Sequence, residues 1–248
     1  MTDGVLLLHG WPLDGSMWDE QVASLRDRVP VAAPSMPGFG GEPSAGDVMT
    51  MDAAGDAAVT AARAAGVDRF VVCGLSMGGY VALAIRRRHR DRVLGLVLAN
   101  TRAGADDEAG KERRRALAGR LLAEGSGFLV ADLPPLLSDG APPALWDRVR
   151  ERVGAQPAAS IAAASLGMAE RPDSTADLAA VDVPVLVIAS TGDRLIPFDA
   201  TAPMAEQVPD GSLHVIDGAG HLSNLEAPQV FTRALEGHLA RCGLLPAR

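Results

Sequence analysis

The chain has 248 residues, 48% of them hydrophobic, and 23 basic against 31 acidic side chains leave a net charge of −8. That length suits one large domain or a core with an insertion, and the acidic balance argues against nucleic acid or an anionic membrane as partner. No stretch approaches the ~20 apolar residues of a membrane span. The opening Met1-Thr2-Asp3-Gly4-Val5 lacks the basic region of a signal peptide, so the expected compartment is the cytoplasm. Cys73 and Cys242 read as free thiols, and with no Cys or His at ligand spacing from Cys73 no metal site is expected.

The predicted elements alternate. A uniformly apolar strand over 5–9, patterned like one buried on both faces, breaks at Gly10-Trp11-Pro12. A helix over about 16–28 carries Trp18, Val22 and Leu25 on one stripe, and a second strand over 29–33 stops at Pro34. The Gly- and Pro-rich stretch 35–49 reads as loop. An alanine-rich helix over 52–65 is closed by Gly66. A third strand, 69–73, runs into a glycine-rich turn and a helix ending near 89, and 93–99 is a fourth buried strand. From 101 to about 176 there is no strand candidate. Helices are expected there over 108–124, 143–153 and 158–170, divided by Pro134-Pro135, Pro142-Pro143, Pro157 and Pro172. The alternation resumes with a strand over 183–189, a helix over 199–208, a strand over 213–216 and a terminal helix to about 241. This order predicts an α/β fold with a mostly parallel, doubly wound sheet. Residues 1–100 and 177–248 form its core, and 101–176 form a helical cap inserted over the sheet's C-terminal edge.

The turn after the third strand reads Gly74-Leu75-Ser76-Met77-Gly78-Gly79. Gly-x-Ser-x-Gly between a strand and a helix is the pattern of a nucleophile elbow, in which a strained serine lifts its hydroxyl clear of the sheet. A dinucleotide fingerprint would need glycine at position 76. A serine nucleophile requires a base, itself oriented by a third group. Of five histidines only His221, in Asp217-Gly218-Ala219-Gly220-His221, sits in a glycine-rich loop beyond a strand's C-terminal end, where functional groups converge in such sheets. Asp193, after the strand over 183–189, is the candidate acid. The fourth strand ends instead in Asn100, which carries no charge, and Asp217 reads more easily as a turn residue. The N–H groups of Met77 and Trp11 are the candidate oxyanion donors, Pro12 having none to give.

In Leu8-His9-Gly10-Trp11-Pro12-Leu13-Asp14-Gly15-Ser16-Met17-Trp18, in the Ser76 elbow and in Gly218-Ala219-Gly220-His221-Leu222-Ser223-Asn224-Leu225-Glu226, the chain resembles the capped α/β-hydrolases. Small bacterial esterases, cofactor-free perhydrolases and β-ketoadipate enol-lactone hydrolases are the most similar groups. The resemblance covers nearly the whole chain, the cap only loosely. It implies Ser76 as nucleophile, His221 as base, Asp193 as acid, and Trp11 and Met77 as oxyanion donors, with no cofactor. Two departures stand out. Relatives open with two further strands, so a six-stranded sheet is expected, its 29–33 strand at an edge blunted by Pro30 and Pro34 or covered in a homodimer. Relatives also carry an acidic residue where Ser35 stands.

The reaction so implied is hydrolysis of a small carboxylic ester or lactone through an acyl-enzyme. Perhydrolysis and C–C bond hydrolysis use the same residues, and a ligand-binding protein of this fold is the alternative of another class. The runs Arg86-Arg87-Arg88 and Arg113-Arg114-Arg115 read as solvated helix faces beside acidic neighbours. With no cationic cluster evident in the cap, an apolar acyl or alkyl group is expected, lined by Trp11, Leu75, Leu133 and Met168.

Overall fold

The computed structural model describes residues 1–246. Six parallel strands form one sheet: β1 (Asp3–Leu8), β2 (Val31–Ala32), β3 (Arg69–Leu75), β4 (Val93–Ala99), β5 (Val185–Ser190) and β6 (Gly211–Ile216), in the order β2-β1-β3-β4-β5-β6. Apart from Asp3, Arg69 and Ser190 at their ends, the inner strands are apolar because helices cover both faces of a parallel sheet. Val5 to Leu8, Val71 to Cys73 and Leu96 to Ala99 are fully buried. β6 is an edge, and Leu213 and Val215 on its open face are exposed. At the other edge β2 has only two residues, shorter than the expected 29–33. Pro30 and Pro34 bracket it without N–H groups to pair, while the Pro30 carbonyl accepts the Val5 N–H at 2.9 Å.

The helices follow their capping chemistry. The expected helix over 16–28 is a 3₁₀ turn, Gly15–Trp18, whose start is held by Asp14 accepting the Ser16 N–H, followed by α1 (Asp19–Leu25). α2 (Met51–Ala64) is capped by Thr50, and Gly66 closes it at φ 83°. α3 (Met77–Arg88) follows β3. The segment 101–176 has no strand and holds α4 (Glu108–Glu124), α5 (Gly127–Ala131), α6 (Pro143–Gly154) and α7 (Ala158–Ala169). α4 and α7 pack against each other, and Ser165 on α7 donates to the Arg114 carbonyl on α4 at 3.1 Å. α7 also lies on the loop before α2: Met49 N–H donates to the Ala163 carbonyl at 3.1 Å, and a Cβ at Gly167 would overlap the Met49 carbonyl. Proline splits two expected helices. Pro203 divides 199–208 into α8 (Phe198–Thr201) and α9 (Met204–Gln207), and Pro228 separates α10 (Ser223–Glu226) from α11 (Pro228–Arg241).

Strand order reverses between β1 and β3, since β2 lies outward of β1 and β4 outward of β3. Such a switch point opens a crevice beyond the carboxyl ends of the strands, and the loops at 9–12 and 74–79 flank it. Among the described residues no helix is long and apolar enough to cross a membrane.

Candidate active site

β3 runs directly into Ser76, whose backbone stands at φ 57° and ψ −117°. Positive φ in a non-glycine residue is strained and persists only where the surroundings impose it. Here they do. A Cβ at position 74 would overlap the Gly78 carbonyl, one at 78 the Leu8 carbonyl, and one at 79 the Thr101 side chain. Ser76 N–H donates to the Ala99 carbonyl at 2.9 Å, and Thr101 Oγ1 donates to the Ser76 carbonyl at 2.8 Å, so the turn is tied to the end of β4. α3 begins at Met77, whose N–H belongs to the first turn and has no acceptor inside the helix.

The neighbouring strand ends continue the chain of contacts. Asn100 follows β4 with φ 44° and donates from Nδ2 to Asp193 Oδ2 at 3.0 Å. Asp193 follows β5, and the same Oδ2 lies 2.8 Å from His221 Nδ1, beyond β6. Its other oxygen accepts the N–H groups of Leu195 and Ile196, both at 2.9 Å. Burial would raise the Asp193 pKa, but the bond and charge of His221, then the Ile196 N–H and the Asn100 amide, outweigh it and hold the carboxyl below its usual value. Because an ionised carboxylate only accepts, Nδ1 of His221 carries the proton of this bond, and Nε2 is the ring nitrogen turned away from Asp193. That nitrogen is buried and has no hydrogen-bond partner among the described residues.

The loop carrying His221 is tightly held. Glu226 accepts the N–H groups of Gly220 and Ser138, both at 3.0 Å, and the Ser138 hydroxyl; Leu222 N–H donates to the Leu136 carbonyl at 2.8 Å. Asn224 Nδ2 donates to the Met17 carbonyl at 2.9 Å. The histidine loop is thereby clamped between the 134–138 segment and the N-terminal loop. Facing it, His9 is fully buried and its pKa is lowered to about 4 by burial. Its Nε2 accepts the Met36 N–H at 2.8 Å, so this neutral ring joins the loop at 9–12 to the loop after β2. Ser35, in the place of an acidic residue, accepts the Gly15 N–H at 3.1 Å and anchors the same pair of loops.

A cavity of about 370 Å³ opens beside Ser76. Trp11 and Met168 line it, as expected, and Trp11 Nε1 donates to the Ile161 carbonyl at 3.1 Å. Leu75 and Leu133 do not. Leu75 is a fully buried strand residue whose side chain packs beneath Gly10, and Leu133 borders a separate depression with Trp146 and Arg150. The expectation of an uncharged wall fails: Arg102, Arg113 and Arg114 line the cavity together with Asp106. The run at 113–115 is split by the turn of α4. Arg113 and Arg114 reach the cavity, while Arg115 pairs with Glu112 at 3.7 Å on the same helix.

The α/β-hydrolase model, described as "Alpha/beta hydrolase family", matches residues 5–234. The chain belongs to that family. Among the similar members, the pimeloyl-[acyl-carrier protein] methyl ester esterase of Aromatoleum aromaticum is 31% identical over 91% of this chain and 93% of its own. The 3-oxoadipate enol-lactonase 1 of Acinetobacter baylyi is 27% identical over 90% of this chain and 84% of its own. Among solved structures, a thermophilic esterase from Thermogutta terrifontis, with malate bound, is 38% identical with a TM-score of 0.93, covering 98% of this chain and 90% of that one.

Within this α/β-hydrolase, sequence reasoning weighed Asn100 only as a possible acid and set it aside. Its signal was its position at the end of a buried strand; its contact needed the fold. Ser223 Oγ donates to Asn100 Oδ1 at 2.6 Å, which orients the amide so that Nδ2 faces Asp193. Asp106 left little local signal beyond an arginine four residues before it. It is buried in a loop and gathers the nearby Arg102 and Arg114 together with Arg171, 65 residues further along the chain.

Proposed function

We propose that the protein hydrolyses carboxylic esters or lactones at Ser76, with His221 as base, Asp193 as its orienting acid and the N–H groups of Trp11 and Met77 as oxyanion donors. It is a hydrolase acting on ester bonds. The observation that carries the residue assignment is the His221–Asp193 pair: a buried imidazole held by its Nδ1 proton, with Nε2 unused, beyond the same sheet edge as a serine held in the elbow conformation. Ser76, Asn100, Asp193 and His221 follow four successive strands, and hydrogen bonds link each to the next through Ala99 and Asn100. Two similar proteins named for an ester and a lactone substrate support the bond type.

In this reading Nε2 of His221 takes the Ser76 proton as Oγ attacks the carbonyl carbon. Asp193, already ionised, stabilises the imidazolium without taking its proton. The tetrahedral oxyanion receives two backbone N–H groups fixed by the turns at 9–12 and 76–77, and one such donor is worth about 3–4 kcal/mol of barrier. The imidazolium then protonates the departing alkoxide, and water, activated by the same Nε2, frees the acid from Ser76. Residues 101–176 act as the cap and supply Arg113, Arg114, Leu117 and Met168 to the wall of the cavity.

A panel of p-nitrophenyl esters and small lactones, run with the wild type and Ser76→Ala, tests this reading. Turnover lost in the variant is the expected result. Turnover that survives there removes the serine mechanism.

A further inference from the structure

The wall that α4 presents to the cavity is more positive than any structural need explains. Asp106 is buried and hydrogen-bonded on both oxygens: Oδ1 by Arg102 Nη2 and by Arg171 Nη2 at 3.2 Å, Oδ2 by Arg114 Nε, with Arg171 Nη1 in ion-pair contact with Oδ2 at 3.0 Å. A carboxylate offers about four lone-pair positions, so three hydrogen bonds and a further cationic contact take most of its capacity. Burial opposes its charge, but the hydrogen bonds of Arg171 and Arg114 outweigh burial and keep its pKa far below the usual carboxylate range.

The structural share of this cluster belongs to Arg171. It is buried, stacks 4.1 Å above the Tyr80 ring, and also donates to the carbonyls of Met168 at 2.7 Å and Gly104 at 2.9 Å. One carboxylate balances one guanidinium, and Arg102 and Arg114 both remain at the cavity. Their donors are not used up. Arg102 Nε is buried with no partner among the described residues, and Arg114 Nη1 has only the Met168 sulfur at 3.5 Å. Arg113 adds a third charge at the rim. Its nearest acid is Asp107 at 4.0 Å, and that oxygen is engaged in capping α4 through the Gly110 N–H at 2.7 Å.

An apolar acyl chain gives these groups nothing to bond, whereas planar guanidinium groups match a carboxylate and bind it in pairs of hydrogen bonds. We propose that the cavity takes esters or lactones that carry a free carboxylate, held by Arg102, Arg113 and Arg114 while the ester carbonyl lies at Ser76. This rests on the ester-hydrolase reading and narrows its substrate to half-esters and lactones of dicarboxylic or carboxyaryl type. Trp11, Leu117, Pro134 and Ile196 give the same cavity an apolar lining for the rest of such a substrate.

Two isosteric pairs test it in the intact protein. p-Nitrophenyl hydrogen glutarate against p-nitrophenyl methyl glutarate places the charge on the acyl side. 4-Acetoxybenzoate against its methyl ester places it on the alcohol side. Uncatalysed rates are subtracted. At least one pair should favour the anionic member in kcat/KM by roughly tenfold to a hundredfold, the scale of charge-assisted hydrogen bonds. That preference should shrink with added salt, and in Arg113→Gln, which leaves the Asp106 cluster intact, it should fall severalfold through KM. Equal or faster turnover of the neutral member in both pairs, with Ser76-dependent hydrolysis preserved, overturns the arginine assignment and leaves the esterase reading standing. No Ser76-dependent turnover of any of the four esters overturns both.

Discussion

Two buried aspartates, Asp193 in the core and Asp106 in the 101–176 segment, each accept hydrogen bonds on both oxygens, and there the likeness ends. Asp193 is held by two backbone N–H groups, one neutral amide and one imidazole. Its single negative charge is therefore free to answer one positive charge, the one that would arise on His221 in the proposed proton transfer. Asp106 is held by three guanidinium groups and is outnumbered by them. Its neighbourhood keeps a permanent positive excess, displayed to the cavity beside Ser76. Hydrogen-bond satisfaction is the same in both places; the count of formal charges decides what each can do.

The contrast is most sharply broken at the groups proposed to react. Ser76→Ala and Asp193→Asn should each lower kcat by roughly 10⁴-fold or more with little change in the unfolding midpoint, measured by ester turnover and by thermal melting. Next comes Asp106→Asn, which leaves three buried or half-buried cations facing one another. Breaking a buried ion pair costs about 3–5 kcal/mol, and the melting temperature should fall by roughly 10 °C. The sign in pH follows from the lowered pKa of Asp106. Its contribution is full above the unfolded-state value near ~4 and is lost as the pH falls toward the lower native one, so the acid-induced loss of stability should be shallower in the variant.

A smaller effect is expected at the positioning residues. Asn100→Gly keeps the positive φ but removes a donor from Asp193, and kcat should drop by roughly tenfold. Since the carboxylate loses stabilisation, its pKa rises and the acid limb of the kcat profile should move to higher pH. Ser223→Ala, which only frees the Asn100 amide to rotate, should show the same shift in weaker form. An unchanged profile in both would reduce Asn100 to packing. Smallest of all, Leu133→Ala lies outside the cavity and should leave kcat/KM within about twofold.

The legibility of the two regions differs for a physical reason. Strands β1, β3, β4 and β5 were readable because a strand buried on both faces must be an unbroken apolar run, and Ser76 and Asp193 stand where such runs end. Pro203 and Pro228 ended helices earlier than the apolar pattern implied, because ring closure removes the N–H that the helix needs. The helices of 101–176 were placed well by their proline breaks, yet their facing was not. A run of three arginines reads the same whether it meets water or a cavity, and only the turn of α4 separates Arg113 and Arg114 from Arg115.

Sequence by itself determined the fold class and the elbow at Ser76, because both follow from local pattern: apolar runs of strand length, and glycines where a Cβ cannot fit. Tertiary structure alone decided that Asn100 serves Asp193, that Leu133 stands apart, and that Arg102, Arg114 and Arg171 share one carboxylate. Those relations join residues up to 93 positions apart. Charge balance is a property of a volume, and no local stretch of chain carries it.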